Sequence, residues 1–343
     1  MKNLVSNLTK LAVLGAATLA AVGVVHAAEY RLDISLDTPQ AHVRNEAIMK
    51  YADELNKRSK GKLEVRVFHG ASKYKGANVP VALAQGALDM GAPLHQHLSK
   101  VVPEAGAVLL PMFYGATPKE IYAVWDGAVG QELNKRIESK LHVKVVGRYF
   151  DLGYGTVFTT KKELNKPEDM SGMKIRVPGG AANVQRYKVF GASPVSIPLP
   201  DVPQALQRGT VDGIWSTQET VASSKLWDSG LHYAFEDKQA YLQYVPMISK
   251  TRWDSYPADV QKLITGTWED MVASVRAVAS DVQAKARATG ADHGIKTVDP
   301  DPKDLAAMRD KLMAEQDGIV KALGIDPAFI EMTQAALAKA RSN

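Results

Sequence analysis

The sequence predicts an α/β protein with two lobes and one long helix that bridges both lobes. Segments that alternate apolar and polar residues, as half-buried strands do, take turns with segments whose apolar residues recur at helical spacing. The chain has 343 residues, which is long for a single hydrophobic core and favours two. No proline occurs between Pro257 and Pro300, and apolar residues at helical spacing in this stretch predict a helix longer than one lobe.

The first residues have the pattern of a secretory signal peptide. Lys2 and Lys10 accompany a run of small apolar residues over 11–25, and Val25-His26-Ala27 has small residues where signal peptidase requires them. The run is about 15 residues, shorter than the roughly 20 that a membrane-spanning helix needs. We expect residues 1–27 to be removed on export to the periplasm; an uncleaved membrane anchor is the alternative.

Composition excludes several kinds of site. The chain has no cysteine, which rules out cysteine nucleophiles, cysteine metal ligands and iron–sulfur clusters, and which suits an oxidising compartment. The formal net charge is +5 and the charges are interspersed along the chain. Without a basic run, nucleic acid is not an expected partner.

Strands and helices alternate at the start of the mature chain. Alternating polarity predicts a strand over 30–36, and an apolar face followed by a glycine predicts a helix over 45–58. The same criteria predict a strand over 63–67, a helix over 79–85 and a short strand over 87–92.

One segment is echoed later in the chain. Residues 82–89 and 205–212 are identical at four of eight positions, and in each a predicted helix stops at a glycine, Gly86 or Gly209, before a short strand. Two similar lobes, each with one helix-to-strand unit, explain this echo, and ligands bind at such strand ends in open α/β sheets. Asp201 is expected to cap the second helix.

The long helical pattern begins after Pro257. Apolar residues recur at helical spacing from Val260 through Trp268 to Val278, which predicts a helix of about 30 residues and about 45 Å. We interpret it as a strut between the lobes; two helices broken at Gly266 are the alternative.

The chain contains no proline-rich linker, so we expect short crossings between the lobes. On this interpretation residues 28–153 with 242–281 form lobe I, and residues 154–241 with 282–343 form lobe II.

Signatures of enzymes and metal sites are missing from the sequence. There is no G-x-S-x-G, H-E-x-x-H or Walker motif, and Gly153-Tyr154-Gly155 lacks the third glycine of a dinucleotide-binding loop. His95 and His97 form the one pair that resembles metal ligands, and no third ligand lies at motif spacing. We therefore expect no catalytic residue, no metal and no cofactor.

The segment over 167–178, P-E-D-M-S-G-M-K-I-R-V-P, resembles the central motif of a known family. It is similar to the substrate-binding subunits of tripartite ATP-independent periplasmic (TRAP) transporters, the DctP-like family. The resemblance extends to 190–198 and 205–213, and earlier to 59–65 and 84–90. The five segments follow one another in the family's order, and the resemblance is expected to extend over nearly the whole mature chain.

The resemblance implies a protein that closes its two lobes around a ligand, usually a carboxylate. It implies delivery of a small organic acid to the small and large membrane subunits of the transporter, by a protein expected to be a monomer. In the family, the arginine of the K-I-R-V motif clamps the ligand carboxylate, and here this arginine is Arg176. The planar guanidinium of an arginine can donate two parallel hydrogen bonds to the two oxygens of a carboxylate. The alternative is that Arg176 is a surface arginine at a strand end.

Two departures from the family pattern bear on the ligand. Many relatives have a second arginine about 20 residues before the clamp, whereas residues 149–175 contain none. Ser216 stands where relatives often have an asparagine, and Trp215 and Tyr154 would add apolar walls with one polar group each. We expect a monocarboxylate, aromatic or hydroxylated, rather than a dicarboxylate or a sialic-acid-like sugar.

Two further residues are candidate ligand contacts. His95 follows the first echoed strand and could bind a ligand hydroxyl, with a solvent-facing loop position as the alternative. Tyr241 lies on a predicted strand that crosses between the lobes, where it could contact the ligand, and core packing is the alternative there for both Tyr241 and Tyr244. Core packing is also the alternative for Trp215.

Two other functions remain open at this point. A binding protein that feeds a receptor would have the same fold, and the sequence does not separate sensing from transport. A secreted enzyme acting on organic acids would need a nucleophile and a base in the cleft, and the sequence has neither at motif spacing.

Overall fold

The computed structural model describes residues 28–238 and 240–342. The predicted signal segment, 1–27, lies outside these residues. Strands and helices alternate along the described chain, which confirms the predicted α/β class. Within the described residues, no helix combines the length and the apolar character needed to cross a membrane.

The strands, in chain order, are β1 (Tyr30–Ser35), β2 (Leu63–Phe68), β3 (Met90–Gly91), β4 (Val143–Val145), β5 (Phe150–Tyr154), β6 (Thr156–Thr159), β7 (Lys174–Val177), β8 (Ser193–Ser196), β9 (Gly213–Ser216), β10 (Tyr233–Phe235), β11 (Tyr241–Tyr244), β12 (Met247–Ser249) and β13 (Lys296–Val298). The α-helices are α1 (Val43–Arg58), α2 (Val79–Ala84), α3 (His95–Leu98), α4 (Pro118–Trp125), α5 (Ala128–Leu141), α6 (Ala181–Val189), α7 (Val202–Gln207), α8 (Gln218–Ser223), α9 (Lys250–Ser255), α10 (Ala258–Asp292), α11 (Pro302–Ala314), α12 (Gln316–Leu323) and α13 (Pro327–Arg341).

Two sheets form the cores of two lobes. The first sheet has the strand order β2-β1-β3-β12-β4, and the second has the order β13-β10-β6-β9-β7-β8. We call the half built on the first sheet the first lobe and the other half the second lobe. Strands β5 and β11 pair antiparallel outside both sheets, and each carries the chain from one lobe to the other.

Helix α10 is continuous over 35 residues, a length of about 52 Å, which confirms the predicted long helix. Gly266 lies within it and does not break it. On the first lobe the Tyr51 ring packs edge-on against Trp268 with centroids 5.3 Å apart, and the Tyr51 hydroxyl donates to the carbonyl of Ile264 at 2.9 Å. Further along, α10 packs against α8 and β13 of the second lobe, so the helix bridges both.

The echoed segments end their helices in the same way. Gly86 and Gly209 have φ of +70° and +65°, the left-handed conformation that terminates a helix. The amides of Ala87 and Thr210 then bond back to carbonyls of α2 and α7, both at 2.9 Å. The amide of Leu88 bonds to the same carbonyl as that of Ala87, so these two residues belong to the helix end, and β3 is only Met90–Gly91 where a strand over 87–92 was predicted.

The expectation that Asp201 caps α7 with its side chain is wrong. Asp201 ends a short 3-10 turn, with φ −91° and ψ −7°, and its carboxylate accepts no hydrogen bond from the helix. A side-chain cap needs an extended backbone at this position. The carboxylate instead pairs with Lys75 of the first lobe, at 2.7 Å.

The C-terminal helices pack on both lobes. Helix α12 contacts α6 of the second lobe, whereas α13 lies against α4 and α5. The division that assigns all of 282–343 to one lobe stays a prediction, and the packing of α13 joins the end of the chain to residues 118–141.

Candidate functional site

A cavity of about 470 Å³ lies between the two lobes. Its wall takes residues from the first lobe, among them Asp37 and Arg44, and from the second lobe, among them Arg176 and Trp215. The crossing strands β5 and β11 contribute apolar residues such as Leu242. A concave apolar cavity with a few convergent polar groups is the usual form of a small-molecule site.

Arg176 lies on β7, between β8 and β9, with a side chain only 3% exposed. Its Nε donates to the carbonyl of Ile197 at 2.7 Å and its Nη1 to the carbonyl of Trp215 at 3.3 Å. Within 28–238 and 240–342, no carboxylate pairs with this guanidinium. Two neutral carbonyls orient the side chain and leave its charge available to an anion.

The electrostatics of Arg176 agree with this geometry. Burial lowers the pKa of the guanidinium to about 10, although the Asp37 carboxylate acts in the opposite direction. The group is still protonated at neutral pH. A buried charge without a partner is unfavourable, so a ligand carboxylate that paired with Arg176 would offset the cost of burying its charge.

Trp215 and Ser216 end strand β9 beside Arg176. Trp215 is fully buried, forms part of the cavity wall and stacks under the Arg186 guanidinium, 4.4 Å from the ring centroid. Trp215 therefore both lines the cavity and packs in the protein core. Ser216 also lines the cavity, and its hydroxyl has no hydrogen-bond partner among the described residues.

A buried ion pair between Asp37 and Arg44 faces the cavity from the first lobe, and the sequence analysis did not identify it. The Arg44 Nη2 donates to the Asp37 carboxylate, and the amide of Gly76 donates to the other oxygen at 3.1 Å. Burial by itself would raise the pKa of Asp37, but the Arg44 guanidinium holds it at about 2. The only sequence signal was the presence of two opposite charges, Asp37 and Arg44, between the strand predicted over 30–36 and the helix predicted over 45–58.

Of the two histidines on α3, His97 lines the cavity and His95 does not. The His95 ring is buried between Tyr149 and Trp125, with centroids 4.5 and 5.9 Å away, and burial lowers its pKa to about 3. His97 Nε2 lies 3.1 Å from the carbonyl of Pro178 in the second lobe. A carbonyl only accepts, so Nε2 carries the proton and donates.

Tyr154 and Tyr241 also lie outside the cavity wall. Their rings pack edge-on with centroids 5.0 Å apart. The Tyr154 hydroxyl donates to the carbonyl of Ala116 at 2.6 Å, and the Tyr241 hydroxyl donates to Asp151 at 2.9 Å. Both hydroxyls are therefore occupied within the protein.

The neighbouring Tyr244 lines the cavity instead. Leu242 and Tyr244 share one face of β11, whereas Tyr241 and Gln243 both bond Asp151 on the other face. The Arg44 guanidinium lies 4.5 Å from the centroid of the Tyr244 ring. The Tyr244 hydroxyl has no hydrogen-bond partner in the described part of the chain, and burial raises its pKa, so the proton stays on the oxygen.

Residues across the cleft hold the lobes together in this structure. Lys75 and Asp201 form the ion pair described above, and His97 donates to Pro178. The amide of Val43, at the start of α1, donates to Glu219 of α8 at 3.0 Å. No group of three or more potential metal ligands of the His, Asp and Glu type occurs among the described residues.

Comparison with known proteins gives a consistent result. Residues 34–321 match the family described as bacterial extracellular solute-binding protein, family 7 (DctP). The 2,3-diketo-L-gulonate-binding periplasmic protein YiaO of Escherichia coli is 24% identical over 269 residues, which is 78% of this chain and 81% of the relative.

Two solved structures share the fold. The sugar acid binding protein of Advenella mimigardefordensis, in complex with galactonate, superposes with a TM-score of 0.85 at 22% identity, covering 90% of this chain and 98% of that one. A TRAP periplasmic solute binding protein of Sulfurospirillum deleyianum, with bound succinate, gives 0.82 at 25% identity, covering 90% and 99%. These matches confirm the predicted fold of two lobes with a bridging helix and the predicted family resemblance.

Proposed function

Because the chain belongs to the family of bacterial extracellular solute-binding proteins, family 7, we propose that it is the periplasmic solute-binding subunit of a TRAP transporter. It captures a small organic acid in the cavity between its lobes and delivers it to the small and large membrane subunits. The relatives named above bind a keto-sugar acid, a sugar acid and a C4-dicarboxylate. Residues 1–27 would direct the chain to the periplasm.

The observation that carries this proposal is the buried, unpaired guanidinium of Arg176 in the cavity wall. The fixed carbonyls of Ile197 and Trp215 hold it in place before the ligand arrives, so little side-chain entropy is lost on binding. A carboxylate that binds there gains charge-assisted hydrogen bonds in a site shielded from water.

Binding and closure are coupled by the position of the cavity. Arg176, Trp215 and Ser216 belong to the second lobe, and Asp37 and Arg44 to the first. A ligand that touches both sets favours the closed arrangement over an open one by its differential contacts. Strands β5 and β11 and helix α10 connect the lobes, so bending in them would open the cleft.

We further propose that the ligand has one carboxylate. The second guanidinium of the cavity, Arg44, is neutralised by Asp37, so the buried wall offers one uncompensated positive charge. Lys100 also lines the cavity but is exposed, and water screens a charge at such a position.

A thermal-shift screen of the purified mature protein against organic acids tests the proposal. An acid present at 100 times its dissociation constant stabilises the folded state by about 2.7 kcal/mol, which raises the melting temperature measurably. We expect monocarboxylates to give the largest shifts, with Arg176→Ala abolishing them. A screen in which only neutral sugars or amines stabilise the wild type would contradict the proposal, and a larger shift with C4-dicarboxylates would contradict the single carboxylate.

A further inference from the structure

We infer that Asp37 and Tyr244 form a hydroxyl-recognition subsite in the wall of the cavity that Arg176 also lines, and that the ligand is a hydroxylated monocarboxylate. This inference rests on the proposed function, because it names the class of acid that the same cavity takes. The observation that supports it is that both side chains can form further hydrogen bonds to a ligand.

Asp37 supplies a fixed acceptor. One carboxylate oxygen accepts from Arg44 and the other from the amide of Gly76, so two of about four lone-pair positions are in use. The Cβ that any larger residue would add at position 76 would lie 2.3 Å from the Asp37 oxygen. The glycine therefore allows the backbone to approach and hold the carboxylate, which lines the cavity and stays ionised.

Tyr244 supplies a second polar group beside Asp37. Its ring lies under the same Arg44 guanidinium that binds Asp37, so the three side chains form one unit. A buried tyrosine hydroxyl usually has a partner, and the Tyr244 hydroxyl has none among the described residues. A ligand hydroxyl can accept from Tyr244 and donate to Asp37, which satisfies both groups.

The charges of the wall select between hydroxyl and other polar groups. A second ligand carboxylate near Asp37 would meet a like charge in a low-dielectric site, which is unfavourable. A ligand ammonium would be attracted to Asp37, but Asp37 already neutralises Arg44. A ligand with both a carboxylate and an ammonium is neutral overall and would leave the closed cavity with one uncompensated positive charge. A hydroxyl makes the hydrogen bonds without changing the single negative charge of the ligand.

Four-carbon acids that differ only in substituents provide the test: butanoate, D-erythronate and succinate, with hexanoate, D-gluconate and adipate as a longer series. Calorimetry on the wild type should show the hydroxylated acid of at least one series binding about tenfold or more tighter than the alkanoate and the diacid. Equal affinity for the hydroxylated acid and the alkanoate in both series would overturn the inference.

Asp37→Asn makes the test specific to the subsite. It removes the negative charge and leaves Arg44 uncompensated, so the preference for the hydroxylated acid should fall about tenfold and the affinity for the diacid should rise about tenfold. Asp33→Asn is the matched control, because Asp33 pairs with Arg66 and Lys73 away from the cavity and should leave all affinities as in the wild type. An Asp37→Asn protein with the wild-type order of affinities would contradict the inference.

Tyr244→Phe keeps the test decisive if Asp37→Asn does not fold. It removes one hydroxyl and should reduce the preference for the hydroxylated acid severalfold, while an unaltered preference would remove Tyr244 from the subsite. Failure of the proposed function has a different signature. In that case no acid of either series binds the wild type, or Arg176→Ala binds all of them as tightly as the wild type.

Discussion

The Nζ of Lys75 lies 2.7 Å from a carboxylate oxygen of Asp201, and this ion pair joins the first lobe to the second beside the cavity. Lys75 precedes the wall residue Gly76, and Asp201 follows the wall residue Leu199 by two positions. The pair can form only when the lobes are close together, so it belongs to the closed arrangement.

We predict that this ion pair makes a small, salt-sensitive contribution to ligand affinity. Both side chains are nearly half exposed, and exposed pairs contribute about 0.2–1 kcal/mol. Lys75→Ala and Asp201→Ala should each weaken binding by about two- to fivefold at low salt. The double variant should be no weaker than either single one, because both remove the same interaction.

Calorimetry at low salt and at 1 M salt checks this prediction, because the Debye length falls to about 3 Å at 1 M. The three variants should then bind like the wild type. Losses that persist at high salt, or that add in the double variant, would show that these side chains act on the ligand by another route.

Replacement of Arg176 should separate affinity from stability. Arg176→Ala should weaken binding of the best acid from the screen by about 2–5 kcal/mol. Arg176→Lys should also bind poorly, because a lysine ammonium cannot donate the two parallel hydrogen bonds of a guanidinium. Arg66→Ala, which removes an exposed arginine on β2, is the matched control and should bind like the wild type.

Replacement of Arg176 by an apolar residue should stabilise the folded protein in the absence of ligand. Burial disfavours the charge of Arg176 in the folded state, which the lowered pKa of about 10 reflects. Arg176→Met should therefore raise the free energy of unfolding of the empty protein by about 1–3 kcal/mol. Urea denaturation without ligand measures this, and a destabilised Arg176→Met protein would show that the guanidinium holds the lobe together.

Asp37 should contribute to stability in a defined range of pH. Its pKa of about 2 in the folded state lies below the value of about 3.9 in an unfolded chain. The folded state therefore binds the proton less readily, and the resulting stabilisation, about 2–3 kcal/mol, is present above about pH 4 and is lost as the pH falls to about 2.

Urea denaturation of the wild type and Asp37→Asn between pH 2 and 7 measures this difference. The two free energies of unfolding should differ most at neutral pH and converge by about pH 2. A difference that stays constant across this range would mean that the charge of Asp37 does not stabilise the folded protein. Asp33→Asn serves as a comparison at a carboxylate outside the cavity wall, where Arg66 and Lys73 also lower the pKa.

Trp268 should be a major contributor to the stability of the bridging helix. It is fully buried, packs against Tyr51 and Phe150, and donates from its indole to the carbonyl of Arg148 at 2.9 Å. Trp268→Ala should cost about 3–5 kcal/mol of unfolding free energy. Val278→Ala on the same helix, at a side chain 47% exposed, should cost under about 0.5 kcal/mol, and equal losses would contradict this ranking.

Local patterns of the sequence determined the fold class, the long helix and the place of Arg176. The helix could be predicted because its apolar residues repeat at 3.6-residue spacing and no proline interrupts them. Gly86 and Gly209 could be assigned as helix ends because only the left-handed conformation closes such a turn without strain. Arg176 came from a motif resemblance, and Trp215 and Ser216 came from the same resemblance, because Ser216 stands where relatives often have an asparagine.

Tertiary structure alone decided which neighbours of the predicted residues face the cavity. His97 and Tyr244 line it, whereas His95 and Tyr241 do not. Positions two apart on a helix, such as 95 and 97, point to different faces, and so do positions three apart on a strand, such as 241 and 244. Which face meets the second lobe depends on how the element is docked.

The Asp37–Arg44 pair and the Lys75–Asp201 pair also depend on tertiary structure. Asp201 had the local chemistry of a helix cap, but its backbone is helical and Lys75 lies within reach, so the long-range partner replaces the local one. Arg44 and Asp37 are seven residues apart, yet their role depends on a cavity whose other wall lies more than a hundred residues away along the chain. The periodicity of a sequence predicts which face of a helix or strand is buried within its own lobe. Which residues line a site between the lobes depends on the contacts that bring the lobes together.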